Sequence, residues 1–308
     1  MTRFNQRLIA LFAVQLLLTA GIYIGSQPPS IENVQTALLG SDKSQISHIT
    51  IEDGDGKQVQ LSNSDNSWRL PNYHQLPADQ SKVEQALATL ANTKSGWPVA
   101  TTSSSQERLK VSEDKYQIRI TLADDDNEQQ LYLGTSPGFR QVHLRKAGED
   151  EIYTVTLTSH DFPADSSHWL DRTLARPGGE ITGLKGPGFV INKQAGEWQL
   201  PDGKGAPMKE ELNKLVDGLS SLNVLEAKEK TAAKPNYSLS VKTAKENINY
   251  RFFNEEENYY ISHDGYDQLF KISKLNYEKI TGQTAEKLVK AQNLESGRLT
   301  AGSTDNST

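Results

Sequence analysis

From Ile46 onward the chain alternates between apolar and polar positions. The stretch "ISHITIEDGDGKQVQLSNSDNSWRL" puts Ile49 and Ile51, Val59 and Leu61, then Trp68 and Leu70 on one phase, with Asp-Gly-Asp-Gly and Asn-Ser-Asp-Asn between the runs. A period of two broken by turn residues predicts a three-strand meander. The period then lengthens. Val83, Ala86, Leu87, Leu90 and Ala91 fall at i, i+3, i+4, i+7 and i+8, the apolar face of a helix, with Asp79 at its positive start and Pro77 suited to its first helical position. Strand periodicity returns in "YQIRITL" (116–122), "QQLYLG" (129–134), "QVHLR" (141–145) and "EIYTV" (151–155). The pattern predicts an α+β unit: a meander, a helix packed on one face of a sheet, and a second set of antiparallel strands.

The second half repeats this order. "SWRLPNYHQLPADQSKVEQALATL" has a partner in "EWQLPDGKGAPMKEELNKLVDGLSSL", where Trp198 matches Trp68 and Pro207 matches Pro77 at an offset of 130. Leu212, Leu215, Val216 and Leu219 match Val83, Ala86, Leu87 and Leu90 at 129, and Tyr237, Leu239 and Val241 match Tyr116, Ile118 and Ile120 at 121. Tyr259, Ile261, Leu269, Phe270 and Ile272 match Val142, Leu144, Ile152, Tyr153 and Val155 at 117. The offset falls only across expected loops, as a duplicated unit would show after losing loop residues while keeping its core. The expected organisation is a first α+β repeat over 46–176, a boundary at Pro177-Gly178-Gly179, a second repeat over 180–293, and a polar, small-residue tail at 294–308 that reads as disordered.

The N-terminus carries a different signal. Arg3 and Arg7 precede Leu8 to Gly25, eighteen residues without a charge, and Pro28-Pro29 follow. At about 1.5 Å per residue the run spans about 27 Å, close to the ~30 Å hydrocarbon core of a bilayer. The arginines lie before the run and the first later charges, Glu32 and Asp42, are acidic, so residues 1–25 read as a cytoplasmic N-terminus and transmembrane anchor, 26–45 as a spacer, and the body as exported. A cleaved signal peptide is the competing reading. Its apolar region is ordinarily shorter and ends in a small-residue site, whereas Tyr23 and Ile24 stand at the exit here.

Composition narrows the function classes. The chain has 308 residues, 35% of them hydrophobic and 23% charged, with 4 Trp, 11 Tyr and 8 Phe, enough for two folded cores. A net charge of −6 with no Lys/Arg stripe argues against a nucleic-acid partner. The absence of cysteine removes disulfides, thiolate metal sites, a thiol nucleophile and a lipidated anchor.

Chemical motifs fare no better. "GTSPG" (Gly134–Gly138) has the G-x-S-x-G spacing of a nucleophile elbow, but Pro137 lacks the N–H that an oxyanion hole takes from the residue after the serine, and a strand-like run follows where a helix is needed. "EDGDGK" (52–57) and "DDDNE" (124–128) miss the glycine and ligand positions of a calcium loop and read as solvated hairpin tips, as does Glu255-Glu256-Glu257. His48, His74, His143, His160, His168 and His263 show no zinc-binding spacing, and no phosphate-binding P-loop occurs. Trp68 and Trp198 are expected in the cores rather than on a sugar-stacking surface. No residue is assigned a catalytic, cofactor-binding or metal-ligating role, and no cofactor is expected.

"ITIEDGDGKQVQLSNSDNSWRL", "LPADQSKVEQALATLANTKSGWPVATT", "LYLGTSPGFRQVHLRKAGEDEIYTV" and "HWLDRTL" together resemble the uncharacterised bacterial family catalogued as domain of unknown function 4340. The resemblance spans most of 46–174 and, more weakly, the second repeat. It implies an exported, membrane-tethered protein encoded beside an ABC exporter that has a gliding-motility-type auxiliary subunit. The expectation is a single-pass protein of the bacterial inner membrane, its body in the periplasm, acting without catalysis as a binding or assembly accessory of such an exporter, with the permease or auxiliary subunit as partner. The alternatives are a cleaved, soluble periplasmic ligand-binding protein, or a periplasmic hydrolase or glycan-modifying enzyme.

Overall fold

The computed structural model describes Gln15 and residues 36–39, 43–124, 126–201, 206–230 and 232–289. Apart from Gln15, the uncharged run Leu8–Gly25 lies outside these residues, as do most of the spacer and all of the 294–308 tail. Among the described residues no helix is long and apolar enough to cross a membrane.

Strand β1 (Thr36–Ala37) comes first, and the expected meander follows as β2 (His48–Asp53), β3 (Gln58–Ser64) and β4 (Ser67–Leu70). After β5 (Leu76–Pro77), helix α1 (Gln80–Asn92) crosses a face of the sheet and buries Val83, Ala86, Leu87 and Leu90. Its N-cap is Asp79, whose carboxylate accepts the Lys82 N–H at 3.2 Å. Pro77 is therefore not the first helical residue. It pairs with Arg69 in β5, and its carbonyl accepts the Asp171 N–H at 3.0 Å, which keeps its backbone extended.

Past the helix, β6 (Lys94–Ser95) pairs with β1, β7 (Pro98–Ala100) joins the sheet, and a short helix α2 (Ser103–Leu109) leads to β8 (Ile118–Ala123), β9 (Glu128–Leu133), β10 (Val142–Lys146) and β11 (Ile152–Val155). The sheet order is β5-β4-β3-β2-β8-β9-β10-β11-β7, antiparallel at every pairing. A short helix α3 (Ser166–Trp169) closes this half.

The second sheet is made of β12 (Ile181–Gly186), β13 (Phe189–Gln194), β14 (Glu197–Gln199), β15 (Glu226–Glu229), β16 (Tyr237–Thr243), β17 (Asn247–Glu255), β18 (Asn258–Ser262) and β19 (Gln268–Ile272). Helix α4 (Lys209–Ser220) lies between β14 and β15, and α5 (Lys274–Thr281) and α6 (Ala285–Val289) end the described chain. The order is β14-β13-β12-β16-β17-β18-β19-β15. Taken strand by strand, it is the order of the first sheet from β4 to β7. The registers agree as well: Ile51 faces Ile120 where Leu184 faces Val241, and Tyr153 faces Pro98 where Phe270 faces Ala227. In both halves the helix carries the chain from one sheet edge to the other, where β7 in the first half and β15 in the second complete the far edge.

Most buried side chains of both sheets form one contiguous cluster, and Leu109, Val111, Tyr132 and Ile152 form a smaller one beside the first sheet. The segment Pro163–Arg176 laces the halves together. Trp169 is buried, donates its indole N–H to the Pro163 carbonyl at 2.9 Å, and accepts the Asp79 N–H through its own carbonyl at 2.7 Å. Further along, the Arg172 carbonyl accepts the Val224 N–H at 2.9 Å, the Ala175 carbonyl accepts the Tyr250 hydroxyl at 3.0 Å, and Arg176 donates to the Leu222 carbonyl at 2.7 Å and to Asn223 Oδ1 at 2.6 Å. Buried backbone groups need such partners, so this lacing satisfies groups that neither sheet satisfies alone.

Candidate functional site

A cleft of about 420 Å³ opens on the first half, between α1 and the segment from Thr156 to Trp169. Ala86, Leu157 and Trp169 supply its apolar wall, while Lys82, Arg140, His160 and His168 supply its cationic and ionisable groups, with Asp161 the acidic member. Two elements fix the positions. Lys82 stands on the first turn of α1, and His168 stands on α3, which Asp165 caps by accepting the Ser167 N–H at 2.8 Å. Lys57, on the hairpin between β2 and β3, binds the same Asp165 at 2.8 Å and pins the segment to the sheet.

The Lys82 ammonium donates to the His168 carbonyl at 2.8 Å and lies 3.9 Å from the Asp79 carboxylate. Burial pushes the Lys82 pKa down, and Arg172 pushes it further the same way. Burial also lowers the His168 imidazole, helped by the Lys82 and Arg172 charges, while the ring packs edge-on against Trp169 at 5.2 Å. The Arg172 charge thus acts on both groups, and Lys82 acts on the imidazole. An anion in the cleft would oppose both shifts, so the arrangement suits binding of an acidic group.

The sequence singled out neither His160 nor His168. Eight residues apart, His160 in a single 3₁₀ turn (Ser159–Asp161) and His168 on α3, they share no helical or strand face, and the stretch through Pro163 brings both to one cleft. The other histidines lie elsewhere. His143 accepts or donates a hydrogen bond with Thr135 at 2.9 Å, His74 sits in a left-handed turn, and His263 is buried in the second half among Tyr250, Tyr266 and Phe270. Among the described residues no group of three or more His, Asp or Glu is placed to hold a metal ion.

The dismissed motifs prove to be turn chemistry. Ser136 donates to the carbonyls of Gly138 and Gln141 at 2.8 and 2.7 Å, and Gly134 is required because a Cβ there would meet the Leu109 carbonyl oxygen at 2.0 Å. Asp53 accepts the N–H groups of Asp55 and Lys57, and Asp124 those of Asp126 and Asn127, so both acidic runs close their own hairpins. Glu52, Tyr116 and Arg119 form a second polar cluster. Tyr116 donates to the Glu52 carboxylate and Arg119 pairs with it at 2.6 Å; burial pushes the tyrosine up to about 12, while the Tyr116 hydrogen bond holds the carboxylate below its usual range. That cluster joins strands β2 and β8.

Fold and cleft define the class: an α+β protein of two antiparallel sheets on a shared core. The chain matches the family described as Domain of unknown function (DUF4340) over residues 68–242, more than half its length, and so belongs to that family. The match starts at Trp68 in β4 and ends in β16, across the lacing segment and its "HWLDRTL" motif. No curated protein and no solved structure matches the chain.

Proposed function

We propose that this chain is a membrane-tethered, exported binding or assembly module whose two sheets are copies of one duplicated unit, and that it serves an ABC exporter through contact with the permease or its gliding-motility-type auxiliary subunit. The N-terminal anchor belongs to this reading, on the strength of Arg3, Arg7 and the uncharged run after them. The partner follows from the family resemblance. The observation that carries the reading is the shared core: two sheets of one strand order, locked by Pro163–Arg176, make a broad, stiff surface suited to holding a partner in place. A tether multiplies the effect of a weak contact by raising effective concentration.

The test is capture of the full, tagged chain in mild detergent after cross-linking in cells. Recovery of the permease or auxiliary subunit supports the exporter role, and their absence overturns it. One observation favours a second reading, a soluble receptor: the cleft of about 420 Å³ is of small-ligand size. Recovery of the native protein in the soluble fraction, beginning near residue 26, decides for the receptor.

A further inference from the structure

We propose that the end of the first sheet bearing Trp97, Val99 and Phe139, flanked by Lys94 and Arg140, seats on the anionic surface of the membrane that holds the N-terminal segment; the inference rests on the tethered reading. Large apolar side chains are seldom left in water, yet Trp97 is 65% exposed, Val99 53% and Phe139 92%. The matching edge of the second sheet is more polar, with Leu225, 37% exposed, the large apolar side chain left open beside β15. The register that aligns Pro98 with Ala227 places Glu226 at the position of Trp97 and Lys228 at that of Val99.

An added peptide strand is a poor occupant for this edge. β7 is three residues long and its first residue, Pro98, has no N–H to offer. What the patch offers instead is a tryptophan and a phenylalanine beside two cations, the composition of a bilayer interface contact. Thr156 lines the cleft already described together with Arg140 and a neighbouring one together with Lys94. The loop carrying Phe139 is shaped by the two Ser136 hydrogen bonds, and Arg140 adopts a φ of 52°. The aromatic ring is thus presented by a constrained turn.

The path of the chain brings this end close to the bilayer. β1 pairs with β6 as Thr36 opposite Ser95 and Ala37 opposite Lys94, which fixes the incoming chain two residues from Trp97. Residues 26–35 reach at most about 35 Å when extended. The whole chain carries a net charge of −6 although Arg3 and Arg7 lie outside the body, so most of the body's surface is repelled by anionic lipid, and a local basic, aromatic end sets which way it faces.

The natural absence of cysteine makes the test clean. Full-length Trp97→Cys, Phe139→Cys and, as a control, Leu275→Cys on α5, 74% exposed in the second half, are each labelled with an environment-sensitive fluorophore and placed in phosphatidylglycerol nanodiscs. Labels at 97 and 139 are expected to shift to the blue and be quenched by doxyl lipid, the label at 275 to do neither, and Lys94→Glu with Arg140→Glu to reduce the quenching. Retention of the chain in the discs with water-like emission at 97 and 139 overturns this inference alone. A blue shift equally present in detergent and lost on dilution assigns the patch to a second copy and also overturns it. Failure of the chain to enter discs overturns the tether and this inference together.

Discussion

The two halves use one strand order but finish their edges differently. In the second sheet the edge strand β15 is closed by the first half: Tyr73 Oη accepts the Ala227 N–H at 2.6 Å and donates to the Ala227 carbonyl at 2.9 Å. One phenol satisfies both outward backbone groups of that residue. In the first sheet the matching position is Pro98, which has no donor, and its neighbours are exposed and apolar. An edge strand must be covered, charged or blunted, and the copies have chosen different solutions. The helices diverge in the same way. Asp79 caps α1 with its side chain, whereas Met208, its counterpart, makes no side-chain cap for α4, which instead carries Glu210 and Glu211 in its first turn. Both cap residues nevertheless give their N–H to the carbonyl of a later helix, Asp79 to Trp169 at 2.7 Å and Met208 to Leu288 at 2.9 Å. The backbone contact survived where the side chain changed. Packing geometry is shared between the copies, and surface chemistry is not.

The tryptophan markers give the sharpest way to break this comparison. Trp68 is 4% exposed, while Trp198 is only partly buried under Lys193, whose ammonium lies 5.9 Å from its ring. The two are therefore unequal, against the expectation from sequence. β4 is flanked by β5 and its Trp68 backbone is bracketed by the Gln80 amide at 2.9 and 3.1 Å; β14 ends its sheet. Trp68→Ala should cost about 3–5 kcal/mol in urea denaturation and Trp198→Ala about half as much. Equal losses would restore the equivalence.

Tyr73 comes next. Tyr73→Phe leaves the Ala227 N–H and carbonyl without their partner at a site buried enough to raise the phenol pKa, and should cost roughly 1–3 kcal/mol. Hydrogen exchange at the Ala227 amide should accelerate in the variant. An unchanged rate would mean that water or a neighbour substitutes for the hydroxyl and that the halves are not joined there.

Acid should loosen the fold in two windows. Burial holds His263 in the second half and His168 in the first below the ordinary imidazole range. The unfolded chain takes up these protons first, so stability should begin to fall below about pH 6.5 and continue until the lowered folded values are passed. Asp165 acts later. The Lys57 hydrogen bond, with those from Ser167, lowers it to about 2, so its contribution persists above the unfolded value of 3.8 and disappears between there and about 2. His263→Phe should flatten the upper window and Asp165→Asn the lower, each read from denaturation midpoints across pH. The Asp165 effect is the smallest, because the pair is about half exposed and screened.

Local periodicity determined most of the elements. Alternation at Ile49 to Leu70, and the i, i+3, i+4 spacing of Val83 to Leu90, locate strands and helix because neighbours in sequence share a face, and the recurring Trp-x-Leu-Pro order exposed the matching second half. Asp79 was legible as a helix start, but whether Pro77 was helical depended on Asp171, ninety-odd residues away. The closing helices α5 and α6 escaped notice, since their few apolar residues, among them Tyr277, Ile280 and Leu288, gain meaning only against α4, where a Cβ on Gly218 would come within 2.9 Å of Ile280. The cleft was illegible for the same reason. Lys82, Arg140, His160 and His168 come from α1, a loop turn, a 3₁₀ turn and α3 with no common period, and only the tertiary fold sets them side by side. "HWLDRTL" stood out as a motif, but its work lies in long-range backbone bonds to Pro77, Asp79 and Val224, which no spacing within the motif encodes.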